Sequence, residues 1–560
     1  MSTRRLLFHP QLLLAVAAVV FLTLSAGSDV GSAQKAAAPR MGHVLDWSSR
    51  HVLYPQGTSL RALMLSERDP RAYWNYLRIM QAVNLVAGPI GRRPPVRPVR
   101  PVRQHPDWSV SLGAAGTAPS MFPAKFSFDV NAAPDCANDY LVYAINASPS
   151  PTQANIVAFN NLYSGSGTPF CVGQLAPTVI WAYQVSNVAL PTSPIISLDG
   201  TKVAFVDGAS DAVFHVLNPS AGAVGGTVGA PLTPTAAQDI TVTLTGATTD
   251  SLSPPFVDYY NDVAYVGSDS GHVFKITGVF KGTPALAGSP WPRTSGSAKL
   301  TAPVIDFSTG EIFLGSSDGN LYGYTRGGAE FYPLTIGNNT AFGGIVDAPV
   351  VDAVNGLLYV GTGDSAILAT SAAISQVSTS SFTIVQTASI GKGAIAPIHA
   401  GAFNNAYFNS PMNGMTGTTE WFYYACGVTA SPLSHPQLWQ VSFDSTRLMN
   451  SSATALPGIG LSLHNGEVCS PLTEFQNGVD RLFLGLLTTQ VVEFFDISTS
   501  TTPTLGAPGQ VAEAGGTSGI IVDNVSMVNQ ASSIYFTTLA SSANCGGNFC
   551  AVKLTQGGLQ

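Results

Sequence analysis

Pro254-Pro-Phe-Val-Asp258, Val263-Ala-Tyr-Val-Gly267 and Val273-Phe-Lys-Ile276 follow one another with only short polar turns between them. The same succession returns as Ala302-Pro-Val-Ile-Asp306, Ile312-Phe-Leu-Gly315 and Leu321-Tyr-Gly-Tyr324. The unit is a proline with a short apolar run, a turn, an apolar strand, a Gly/Asp/Ser turn and another strand, and it recurs about every 45–65 residues. Repeats of that length, with several short strands in each, are the signature of a β-propeller. The expected fold class is therefore all-β, with four-stranded blades.

Eight copies can be read. Their central strands are Tyr140-Leu-Val-Tyr143, Val203-Ala-Phe-Val206, Val263-Ala-Tyr-Val266, Ile312-Phe-Leu314, Leu358-Tyr-Val360, Trp421-Phe-Tyr-Tyr424, Leu482-Phe-Leu484 and Ile534-Tyr-Phe536. The runs are apolar on successive residues rather than alternating, as expected when both faces of a sheet are covered. The fifth and sixth copies are the least regular, which leaves seven blades as the alternative to eight. The last copy stops after a third strand, Ala551-Val-Lys-Leu554, while Trp108-Ser-Val-Ser-Leu112 stands unpaired before the first and resembles its outer strand, Trp181-Ala-Tyr-Gln-Val185. Trp108–Leu112 is expected to complete the final blade and close the ring, which removes an exposed sheet edge.

The stretches Val263–Ile276 and Ile312–Tyr324, with a weaker copy at Leu358-Tyr-Val-Gly-Thr-Gly-Asp364, resemble the repeat of the quinoprotein alcohol dehydrogenase-like (PQQ-like repeat) propellers. The resemblance spans roughly residues 106–560 and implies a propeller commonly of eight blades. Enzymes of that superfamily hold pyrroloquinoline quinone on a Ca²⁺ or lanthanide ion, typically with adjacent cysteines, a catalytic Asp and Trp-rich repeats. Here no two cysteines are adjacent and the Trp at the repeat ends is mostly absent. A non-catalytic secreted member is the closer match, and membership of a fold does not transfer activity.

Upstream of the repeats the chain changes character. Arg4 and Arg5 precede an apolar stretch from Leu12 to Leu24 and small residues ending at Ala33, the pattern of a signal peptide over residues 1–33. That stretch is short beside the roughly 20 residues of a bilayer span, so no transmembrane segment is expected after cleavage. Residues 34–90 read as an N-terminal extension with one helix, starting at Asp69-Pro70 and carrying Tyr73, Leu77, Met80 and Val83 on one face. Residues 91–105 read as an Arg/Pro-rich linker, with Arg92, Arg93, Arg97, Arg100 and Arg103 on an extended polyproline-like spacer. Residues 1–105 hold 14 Lys and Arg against 4 Asp and Glu, whereas the remainder holds 11 against 28. The basic arm is a candidate contact for an anionic partner, but no binding fold or interleaved aromatic pattern supports nucleic acid. Six cysteines in an exported chain point to disulfides, with local pairs Cys136–Cys171, Cys426–Cys469 and Cys545–Cys550 proposed among the fifteen pairings that six cysteines permit.

Signatures of catalysis dissolve on inspection. Gly315-Ser-Ser-Asp-Gly319 matches the nucleophile-elbow pattern, but a strand follows it where that motif needs a helix, so a hairpin turn is expected. No His lies three or four residues from another, and no Ca²⁺-loop pattern appears. His215 and His272 occupy similar places in their units, and packing or turn roles are expected of both. Asn404–Met415 is rich in amides and aromatics, which makes Tyr407, Phe408 and Asn413 candidate contacts for a glycan or peptide. Ser371–Thr387 is Ser/Thr-rich and reads as a solvated hairpin.

The expectation is a monomeric exported propeller, periplasmic or extracellular, acting as a non-catalytic binding or scaffold module for a protein or glycan. No catalytic residue, cofactor or metal ligand is assigned. The alternatives are an enzyme with its site in the central funnel (an atypical quinoprotein dehydrogenase, or a glycan-acting hydrolase or lyase) and a structural cell-surface protein tethered by its basic arm.

Overall fold

A computed structural model of the chain describes residues 43–53, 104–128, 134–165, 169–409, 421–429, 434–456, 467–477, 479–498, 504–523 and 533–556. The signal segment, the helix expected from Asp69 and the five linker arginines lie outside the described residues. The fold is all-β, and among the described residues its one α-helix is Asn405–Asn409.

Antiparallel four-stranded units succeed one another along the chain. The first comprises Ala124–Ser127, Tyr140–Ala144, Ile156–Asn160 and Thr178–Tyr183; the second, Ile195–Ile196, Val203–Val206, Val213–Leu217 and Asp239–Thr243. The third runs through Phe256–Asp258, Val263–Val266, His272–Thr277 and Ala285–Leu286; the fourth, through Val304–Asp306, Glu311–Gly315, Asn320–Tyr324 and Leu334–Thr335. A fifth unit (Val350–Asp352, Leu357–Thr362, Ser371–Ser378, Thr383–Lys392) and a sixth (Ala402–Phe403, Phe422–Val428, Pro436–Ser442, Thr454–Ala455) are joined by a parallel bridge between Gly391 and Val428. Thr473–Asn477, Val479–Leu486, Val491–Asp496 and Thr504–Ala512 form the seventh. Ile521–Asp523, Ser533–Thr537 and Phe549–Gln556 then pair with Gln104–Gly113, so the unpaired N-terminal strand does join the last unit.

Every central strand read from the sequence falls on the second strand of its unit. Val203–Val206 and Val263–Val266 are buried at every residue, because each sheet is covered on both faces. The turn motif behaves as a hairpin: Ser316 N donates to Asn320 O at 2.9 Å, and Gly319 adopts φ +87° where a Cβ would meet Gly337 O at 2.3 Å. Gly271 is the same position one unit earlier, at φ +78°. Only glycine fits such a left-handed turn packed on a neighbouring loop.

All three expected disulfides are present, Cys136–Cys171, Cys426–Cys469 and Cys545–Cys550. The expectation of a solvated hairpin over Ser371–Thr387 needs correction. The strands form a hairpin, but Ser375, Gln376 and Thr387 are buried. They satisfy one another and their neighbours: Ser375 Oγ lies 3.2 Å from Thr387 Oγ1, and Gln376 Nε2 donates to Tyr359 OH at 3.1 Å and Arg447 O at 2.7 Å. Polar side chains can enter a core when they are paired in this way.

Candidate functional site in the central channel

In five units a small polar residue stands just before the first strand. Thr192, Ser253, Thr301, Ser470 and Ser518 each stand three residues before that strand's first paired position, and all are buried. Their hydroxyls accept the N–H groups of Val206, Gly267, Gly315, Gly485 and Thr537 at 3.3, 2.6, 2.9, 2.8 and 3.0 Å. Each hydroxyl thus satisfies a backbone donor where the second strand leaves its ladder.

Three units depart from this pattern: the first has Met121 at that place, and two adjacent units carry an acid and an imidazole instead. The corresponding residues are Asp347 in the fifth and His399 in the sixth, and they pair, with Nδ1 of His399 at 2.9 Å from Asp347 Oδ2. Ala400 N also donates to that oxygen, at 2.8 Å. Burial alone would raise the Asp347 pKa, but the attraction and hydrogen bond of His399 outweigh it and hold the carboxyl at about 2.

Against these strand ends lie residues 43–53, which add to the first strands of two units. His43–Leu45 adds antiparallel to the inner edge of the first unit, in register His43 with Ser127 and Leu45 with Lys125. Val52–Leu53 adds parallel to the fifth unit, Val52 beside Val351. Between them Trp47–Arg50 makes one 3₁₀ turn with a reciprocal cap: Ser48 N donates to Asp46 Oδ1 at 2.9 Å, and Asp46 N to Ser49 Oγ at 3.2 Å.

Side chains of this turn bind other units. Trp47 Nε1 donates to Pro255 O of the third unit at 3.1 Å, and its indole meets the Phe256 ring edge-on at 5.9 Å. His51 Nδ1 lies 3.3 Å from Pro349 O in the fifth unit. Burial, and then the charge of Arg50, lower its pKa to about 4, so the ring is neutral and Nδ1 carries the donated proton. Arg50 Nη1 donates to Thr473 Oγ1 of the seventh unit at 3.1 Å and Nη2 to Ala400 O of the sixth at 3.4 Å. Its guanidinium carbon stands 5.2 Å from the centroid of the Phe122 ring. One short peptide therefore contacts the first, third, fifth, sixth and seventh units. Beside it remains a cavity of 190 Å³ walled by Arg50, Leu53, Ala402, Leu472, Phe475 and Ile521 among others.

The residues singled out from sequence do not assemble here. Tyr407 requires correction as a partner contact: it is 2% exposed, stacked on Phe403 at 4.1 Å between ring centroids, and its hydroxyl donates to Asp352 Oδ2 at 2.7 Å. Its amphipathic ring is used inside the fold. Phe408 follows it in the short helix, whereas Asn413 and Arg92, Arg93, Arg97, Arg100 and Arg103 lie outside the described residues. His215 is held within its own unit, 3.0 Å from Asp239 and 3.3 Å from Asp207. His272 has its Nδ1 3.1 Å from Ser270 Oγ, and the two histidines share no partner. Among the described residues, no group of three or more His, Cys, Asp or Glu is placed to hold a metal ion.

Sequence reasoning missed the channel segment and the hydroxyl series. The second left a signal, since Ser or Thr precedes Pro-rich apolar strands in copy after copy.

No protein-family model matches the chain, and no curated protein matches it. Similar solved structures include BamB from Moraxella catarrhalis, at 11% identity over 80% of this chain and 97% of that one, with a TM-score of 0.41. Sqt1 from Saccharomyces cerevisiae is another, at 9% identity over 81% and 97%, with a TM-score of 0.43.

Proposed function

We propose that this chain is an exported, non-catalytic binding or scaffold propeller whose protein or glycan partner is held on one face of the ring. The observation that carries the reading is the segment 43–53 anchored across the inner strands of several units, which leaves beside it only a small cavity. An enzyme working in the central funnel needs a reactant at the place where Trp47, Arg50 and His51 are hydrogen-bonded to the inner strands. The faces, where inter-strand loops converge, keep their freedom to recognise a partner. In this reading the propeller has eight blades, is closed by Gln104–Gly113 and belongs with the PQQ-like repeat superfamily. The three disulfides suit an oxidising compartment. No described helix is long and apolar enough to cross a membrane.

The test is mild cross-linking of the protein in its own host, with the linked residues mapped by mass spectrometry. The reading predicts a mature chain starting at Gln34, and discrete adducts confined to loops of one face. A protein purified without adducts that turns over a glycan or alcohol would contradict it.

A further inference from the structure

We propose that the cavity beside Arg50 binds a small organic monocarboxylate with an apolar body. A guanidinium has five N–H donors, and the two bonds to Thr473 and Ala400 leave three unspent. Among the described residues no carboxylate stands within 4.0 Å of Arg50: the carboxyl of Asp347, which acts on it electrostatically, is already bonded by His399 and Ala400. A half-buried cation held in place by two protein acceptors and an aromatic ring, with donors left over, is arranged to receive the fork of a carboxylate. Burial lowers its pKa to about 10, so the charge persists at neutral pH.

The walls specify the rest of the ligand. Leu53, Leu472, Phe475 and Ile521 present apolar surface, so an aliphatic or aromatic body is favoured over a hydrated one. A volume of 190 Å³ equals about six waters at ~30 Å³ each, room for a short-chain or single-ring acid. Asp46 and Glu474 also line the cavity, so the ligand's carboxylate must sit at Arg50 away from both, and a second anionic group is disfavoured. The ligand would clamp the channel segment to the sixth and seventh units, because Arg50 belongs to the first and its hydrogen-bond partners to the others.

The experiment reads binding at Arg50 alone, so its failure is distinguishable from failure of the scaffold reading, which is tested by cross-linking. Isothermal titration of the full chain with hexanoate and benzoate, with hexanol and benzyl alcohol as uncharged controls, tests it. Saturable binding of at least one acid and none of its alcohol is expected, weakened tenfold or more in Arg50→Gln. Ala402→Leu, which fills the cavity and leaves Arg50 intact, should abolish binding and keeps the test decisive if Arg50→Gln does not fold. Absence of binding by the unaltered chain, or equal binding by the Ala402→Leu protein, would overturn the assignment.

Discussion

The hydroxyl of Thr301 illustrates how single side chains complete the repeat. It accepts the N–H of Gly315 in a fully buried site. Thr301→Val keeps the shape but strands that donor, so a loss of about 1–3 kcal/mol is expected in urea denaturation; an unchanged midpoint would remove the hydroxyl series from the account. His215 supplies a pH dependence. Burial lowers its pKa, but the hydrogen bonds and charges of Asp207 and Asp239 prevail and raise it to about 9, with the ring stacked on Phe205 at 5.0 Å. An imidazolium favoured in the folded state contributes stability that is fully present below about pH 6.5. That contribution is lost as the pH rises from there through about 9. The difference in melting temperature between the unaltered protein and His215→Asn should therefore shrink over that interval, and a difference constant with pH would contradict the assignment. The repeat that contains Asp258 and Asp306 was legible, and both carboxylates cap turns by accepting the N–H of Asn261 and Ser308. The fate of Tyr407 was not, because an amphipathic ring looks alike in sequence whether it meets a partner or a buried Asp352.

At the scale of elements, the repeats announce themselves and the channel segment does not. The eight central strands carry unbroken apolar runs, which survive as a signal even when turn lengths differ. His43–Leu45 and Val52–Leu53 are three and two residues long, too short for any periodicity, and their partners Ala124–Ser127 and Val350–Asp352 are far away in the chain. Nothing local in Trp47-Ser-Ser-Arg50 marks it as a meeting point of several units. Its anchorage is nonetheless extensive. Trp47→Ala removes a buried indole and its bond to Pro255, and a loss of roughly 3–5 kcal/mol is expected. Calorimetry would record it; a change below about 1 kcal/mol would mean that the indole does not hold the segment in place.

Across the whole molecule, buried charge knits the last unit to the first. Lys125 of the first unit lies 3.0 Å from Asp523 of the last, and Lys553 lies 3.0 Å from Asp107 on the N-terminal strand, with all four side chains within 1% of complete burial. Both ammonium groups approach the Tyr163 ring, at 5.7 and 6.0 Å, while its hydroxyl donates to Asp139 at 2.5 Å. Removing one member of such a pair leaves an uncompensated charge, so Lys125→Met should cost about 3–5 kcal/mol in chemical denaturation. Adding Asp523→Asn should restore part of that loss. Equal stability of the single and double variants would show that the two residues are not coupled. The spare strand Trp108–Leu112 was readable as the complement of a short last unit, but these ion pairs were not, because Lys125 and Asp523 are 398 residues apart and neither sits in a motif.

The central claim is that residues 43–53 are a fixed part of the channel. Hydrogen–deuterium exchange of the mature protein, read on peptides covering that segment, tests it most directly. Amides of Leu45 to Leu53 should exchange about as slowly as those of the inner strand Val350–Asp352. Exchange as fast as that of an unstructured peptide would empty the channel and return the central-funnel enzyme to first place.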